Sequence, residues 1–119
     1  MKLLIEKVSD LNDLLMEGES LEALDRFYHE EVVIQKNDEA PVKGKATNRK
    51  IKESELNDIV EFKSAKPLHV AFGEQTTMVE WQMNYKHRNG ERNYTQVAVQ
   101  DWEEGLIIKE KLYFDIKIT

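Results

Sequence analysis

The chain reads as an α+β domain, with helices first and a strand meander after. Three features point that way. Apolar residues recur at helical spacing through the first half. After Glu61 the character changes to four strand-like segments that run to the end. Turn signals separate those strands, at Asn89-Gly90 and at Glu103-Glu104-Gly105.

In the first predicted helix Leu4, Val8, Leu11 and Leu15 share one face, and Gly18 supplies the C-terminal stop. Ser20 is placed to cap a second helix that carries Leu21, Leu24, Phe27 and Tyr28 on one side. His29, Glu30 and Glu31 follow where that helix runs out. Adjacent residues on a helix do not share a face, so this cluster reads as a solvated terminus and not as a metal site. Val32, Val33 and Ile34 are β-branched and form a short strand. A loop containing Pro41 and Gly44 leads to a third, charge-rich helix from about Thr47 to Val60.

The strand region can be placed in register from its turns. A two-residue turn at Asn89-Gly90 sets Tyr85 opposite Tyr94, Met83 opposite Gln96, Trp81 opposite Ala98 and Val79 opposite Gln100. A three-residue loop ending at Gly105 sets Ile108 opposite Gln100, Glu110 opposite Ala98, Leu112 opposite Gln96 and Phe114 opposite Tyr94. A slip by one residue would drive Lys109 and Lys111 among the aromatics, which costs more than placing one carboxyl there. By alternation Leu68, Val70 and Phe72 join the same face. The inner face is then apolar except for Gln96, Gln100 and Glu110. A wall of that kind, apolar with a few converging polar groups, suits a small-ligand pocket. The alternative is a filled interior in which Gln96 and Glu110 satisfy donors such as Arg26 or Arg49. The outer face carries Val97, Val99, Ile107 and Tyr113 among charges, too apolar to lie wholly in water, which predicts a homodimer through that face.

At 119 residues the chain is one domain spanning 1–119. Its net charge of −6 disfavours nucleic-acid and anionic-membrane partners. It has no cysteine, which excludes disulfides, thiolate zinc sites and a cysteine nucleophile. The N-terminal M-K-L-L-I-E-K-V is not a signal peptide and no apolar run approaches membrane length, so a cytoplasmic location is expected. No cofactor or metal is expected.

The order of elements and several local strings resemble the SnoaL-like branch of the nuclear transport factor 2-like superfamily. These strings are R-F-Y-H-E-E-V-V-I-Q at 26–35, P-V-K-G-K-A at 41–46, V-E-W-Q-M-N-Y at 79–85 and T-Q-V-A-V-Q-D-W-E-E-G-L-I-I-K-E-K-L-Y-F-D at 95–115. The resemblance implies a cone: three helices packed on a curved, mainly antiparallel sheet around an internal pocket, commonly dimeric across the sheet's outer face. It does not imply one activity, because that fold hosts many. Ketosteroid isomerase, a member, uses a carboxylate base and a protonated aspartate. By alignment the base falls near Gln35 or Lys36 here and the aspartate at Ala98, and neither acid is kept. Polyketide cyclase and dehydratase members use Asp or His–Asp sets, and no histidine here is placed inward. What remains is Glu110.

The expected function is therefore binding of a small apolar or aromatic ligand, with isomerase-, cyclase- or lyase-type acid–base chemistry at Glu110 as one reading. Trp81, Tyr85, Tyr94 and Phe114 would wall the pocket, and Gln96 and Gln100 would orient the ligand. The other reading is a non-catalytic ligand-binding or dimerisation module, in which Glu110 pairs with a buried cation.

Overall fold

The computed structural model describes residues 3–116. Its elements in chain order are α1 (Leu4–Met16), α2 (Ser20–Phe27), β1 (Tyr28–Lys36), β2 (Val42–Lys43), α3 (Lys45–Asn57), β3 (Ile59–Phe72), β4 (Thr76–His87), β5 (Gly90–Glu103) and β6 (Leu106–Phe114). The three helices cover one face of an open six-stranded sheet of order β2-β1-β6-β5-β4-β3. All neighbours are antiparallel except β1 and β6. The expected α+β class holds.

Helix α1 ends in a Schellman motif. Gly18, at φ 78°, donates to the Leu15 carbonyl and Glu19 donates to that of Leu14. The turn brings α2 back against α1, and Val8, Leu11, Ala23, Leu24 and Phe27 close over Val79, Trp81, Trp102 and Ile107 as the core. Ser20 is the first residue of α2 and makes no cap. His29, Glu30 and Glu31 open strand β1 and do not close α2, because Tyr28 is already extended. No group of His, Asp or Glu among the described residues comes together in a way that could hold a metal ion.

Strand β3 claims Ile59 and Val60, which helical periodicity had assigned to the third helix. It is an edge strand, where Pro67 is tolerated, and it breaks register after Ile59, Phe62 and Pro67. Bulges of this kind bend a strand, which curves the sheet around the helices. They also end simple alternation. Leu68 falls in the last irregularity, and Val70 and Phe72, though opposite Val79 and Thr77, stand 41% and 45% exposed. These three residues are not part of the interior.

Both hairpins differ from expectation by an even slip. In the first, Arg88 and Asn89 are the central residues and His87 faces Gly90. The end of α3 accounts for this, because Asp58 accepts from the Arg88 main chain at 2.9 Å and pairs with its guanidinium at 3.0 Å. In the second, Glu104 and Gly105, at φ 52° and 84°, make a two-residue turn whose positive φ values suit the strand twist. The irregularity moves to Ile108, between the Asp101–Lys109 and Trp102–Ile107 pairs. Trp102 and Ile107 both turn into the core there, so Ile107 is fully buried and not on the outer face. Every other opposed partner shifts by two positions, which leaves each residue on its expected face. Lys109 and Lys111 lie opposite Asp101 and Val99, on the side away from the helices.

Among the described residues no helix is long and apolar enough to cross a membrane.

Candidate functional site

The slip changes what faces Glu110. Ala98 lies opposite Leu112, and Glu110 lies opposite Gln100. Glu110 is 5% exposed and forms no ion pair among the described residues. Arg26 sits over the Phe27 ring at 5.2 Å and Arg49 is held by Asp25 and Glu53, so neither reaches the carboxyl. Its Oε2 instead accepts from the Tyr28 hydroxyl at 2.5 Å and from Gln100 Nε2 at 2.8 Å.

The polarity of this network is set from its far end. The Trp102 indole can only donate, and it donates to Thr77 Oγ1 at 2.9 Å. Thr77 then spends its own proton on Gln100 Oε1, also at 2.9 Å. That fixes the Gln100 amide with its NH2 toward Glu110. Both donors converge on one carboxylate oxygen, so a proton on Glu110 belongs on Oε1.

Burial pushes the Glu110 carboxyl above the usual carboxylate range, and the Tyr28 and Gln100 hydrogen bonds pull it only part of the way back. Burial first, then the Glu110 charge, holds the Tyr28 phenol well above its ordinary value. Tyr28 therefore stays a donor through the neutral range.

Glu110 and Gln100 line a small cavity of about 100 Å³ with Tyr28, Ala98 and Trp81. Trp81, Gln96, Leu112, Lys36, Lys52 and Glu55 also line a larger one of about 490 Å³, so the two share a wall. The larger cavity runs past Met83, Tyr94 and Phe114 to Tyr85, His87 and Arg92 near the first hairpin. Of the residues singled out from sequence, Trp81, Tyr85, Tyr94, Gln96 and Phe114 line the larger cavity, and Gln100 stands with Glu110 in the smaller. Tyr94 packs edge-on to Tyr85, with hydroxyls 3.1 Å apart, and lies against Phe114 at a ring separation of 5.9 Å. Burial, followed by the Tyr85 contact, raises the Tyr94 phenol far above its ordinary value.

Sequence reasoning missed the charged groups that α3 and β1 bring to this wall. Lys36 and Glu55 pair at 2.7 Å, with Lys52 3.7 Å from the other Glu55 oxygen. Burial pulls the Glu55 carboxyl upward, but Lys52 and Lys36 outweigh it and leave the group below its ordinary range. Tyr28, Thr77 and Arg92 were missed as well. Alternation carried two residues further, from Val79 to Thr77 and from Tyr94 to Arg92, would have placed the latter two inward.

No family model and no curated protein matches the sequence. Solved structures do match the fold. A nuclear transport factor 2-like protein of unknown function from Burkholderia pseudomallei superposes with a TM-score of 0.82 at 15% identity, over 97% of this chain and 92% of that one. A protein described as a SnoaL-like polyketide cyclase, from Mesorhizobium loti, gives 0.77 at 13% identity, over 94% and 99%. An LEH-like epoxide hydrolase from M. tuberculosis gives 0.75 at 14%, over 93% and 81%. The chain therefore has the fold shared by these nuclear transport factor 2-like and SnoaL-like structures.

Proposed function

We propose that the paired cavities bind a small apolar or aromatic molecule and that Glu110 performs acid–base chemistry on it, of the isomerase, cyclase or lyase type. One observation carries the reading. A buried carboxyl is hydrogen-bonded on one oxygen by Tyr28 and Gln100, has no cation paired to it among the described residues, and borders a cavity. A structural carboxylate would be expected to sit beside an Arg or Lys, because burying an isolated charge is costly. Without one, Glu110 gains and loses a proton nearer neutral pH, which is what a general acid or base requires. In this reading Trp81, Tyr94 and Phe114 hold the apolar body of the ligand, Tyr85 and Gln96 orient it, and Gln100 and Tyr28 keep Oε1 as the working oxygen. The neighbours include a described cyclase and an epoxide hydrolase, which is compatible with this class, though at such identity they speak for fold alone.

A second reading, a non-catalytic module assembled through the sheet, has its own support. Met78 and Tyr113 stand 47% and 46% exposed on the face away from the helices, beside the half-buried Val97 and Val99. Dimerisation there is compatible with a ligand cavity on the other face. A thermal-shift screen against small aromatic and carbonyl compounds, followed by turnover assays of the ligands found, tests the proposal. Ligands that stabilise the wild type and are converted by it, but not by Glu110→Gln, are expected. Ligands converted equally by the variant would remove Glu110 from the chemistry.

A further inference from the structure

The larger cavity has a second polar centre, at the end away from Glu110. Arg92 is only 6% exposed and lines the cavity wall opposite Tyr85. Among the described residues its guanidinium makes one hydrogen bond, a 3.4 Å contact to the main-chain carbonyl of its neighbour Glu91, and has no carboxylate partner. A buried guanidinium has five donors and normally meets a carboxylate or several carbonyls.

The other charges on the wall are already matched. Its cations are Lys36, Lys52 and Arg92, against the carboxylates of Glu55 and Asp58. Glu55 is held by Lys36 and Lys52, and Asp58 by Arg88. A chain of net charge −6 has therefore lined this cavity, among the described residues, with one more cation than anion. The Tyr85 and Tyr94 hydroxyls share one hydrogen bond, which leaves one hydroxyl proton uncommitted. Arg92 and Tyr94 stand two residues apart on β5, so their side chains share the face that lines the cavity.

We infer that Arg92, with the spare proton of the Tyr85–Tyr94 pair, docks the anionic group of the ligand, so that the molecule bound here is an aromatic or apolar acid with a planar anion such as a carboxylate. The inference rests on the cavity being a ligand site, as proposed above, and narrows its substrate class. Arg92 and Gln96 are four residues apart on β5, which is roughly 13 Å of extended strand. An acid anchored on Arg92 thus lays its apolar body along Met83, Tyr94 and Phe114 and points its far end toward Trp81 and the Glu110 cavity. A guanidinium fork recognises a planar carboxylate through two parallel hydrogen bonds, which a lysine cannot reproduce.

Titration calorimetry with 3-phenylpropanoate and its uncharged counterpart 3-phenylpropanol tests this on wild type, Arg92→Gln and Arg92→Lys. The wild type is expected to bind the acid on the order of tenfold tighter than the alcohol. Arg92→Gln should abolish that preference without weakening the alcohol, and Arg92→Lys should restore only part of it. Circular dichroism melts of each variant establish that it is folded, and the lysine variant serves if the glutamine one is not. Acid and alcohol bound equally by the wild type, or a preference that survives in Arg92→Gln, would overturn the anion site and leave the cavity reading intact. Neither probe binding at millimolar concentration would overturn both.

Discussion

Replacing Glu110 separates an unpaired buried acid from a structural one. Glu110→Gln keeps the shape of the side chain, and its amide oxygen can still accept from Tyr28 and Gln100 at the 2.5 and 2.8 Å positions now filled by Oε2. What it removes is the charge. Because burial raises the Glu110 carboxyl above its ordinary range, the folded state holds that proton more tightly than the unfolded chain does. Between the ordinary value and the raised one the folded protein binds more protons, so wild-type stability falls as pH rises through that window. The slope approaches about 1.4 kcal/mol per pH unit at most. Below the window both states are protonated, and above it the whole penalty is present. Glu110→Gln should erase this slope and be at least as stable as wild type at neutral pH. Glu110→Leu behaves differently, because it leaves the Tyr28 hydroxyl and the Gln100 amide without their acceptor. At about 1–3 kcal/mol for each orphaned donor, the loss is roughly 2–6 kcal/mol before any gain from the added apolar surface. Urea melts of the three proteins from pH 4 to 8 read all of this. A loss on the order of 3–5 kcal/mol in Glu110→Gln is the signature of a buried cation left without its anion, and it would refute the reasoning.

Three further outcomes are expected. Tyr28→Phe removes one of the two donors on Oε2, so the Glu110 carboxyl should rise further and the protein should lose about 1–3 kcal/mol at neutral pH by denaturant melt. Gly18→Ala places a Cβ 3.1 Å from the Phe62 ring at φ 78°, and the left-handed strain alone should cost about 1–2 kcal/mol in the same assay. Sedimentation at micromolar concentration should show a homodimer, and Val97→Lys, opposite Tyr113 on the outer face, should convert it to monomer. A wild-type monomer would remove the sheet-face interface.

Much of the fold was legible because it rests on periodicity and on turn chemistry. The Leu4–Val8–Leu11–Leu15 stripe and the Gly18 stop gave α1 with its end, and alternation gave most inner residues of β4, β5 and β6, though not Thr77, Arg92 or Ile107. Turn position was less legible. The Asp58 contacts to Arg88 and the bulge at Ile108 are tertiary features that no dipeptide announces. Away from the bulge, which turned Ile107 inward, the resulting slips were even, so faces survived and partners did not. Glu110 was found inward by sequence but with the wrong neighbour, and the Trp102–Thr77–Gln100 relay that orients it depends on the true register. Leu68 was misplaced because alternation assumes a regular strand and β3 shifts register at Pro67, whereas Val70 and Phe72 do share the face of Val79 and Thr77 but stand exposed on the edge strand. Tyr28 was hidden by the helix-to-strand switch at its own position, and the Lys36–Glu55–Lys52 cluster by the separation of β1 and α3 in sequence.

The proposed role of Glu110 requires an unpaired, proton-exchanging acid at the cavity wall. Titration of its side-chain carboxyl by carbon-detected NMR, with Glu110→Gln used to assign the signal, tests this most directly. A midpoint above the ordinary carboxylate range is expected, moving higher still in Tyr28→Phe. A midpoint at or below that range, unmoved by loss of the Tyr28 hydroxyl, would contradict that role.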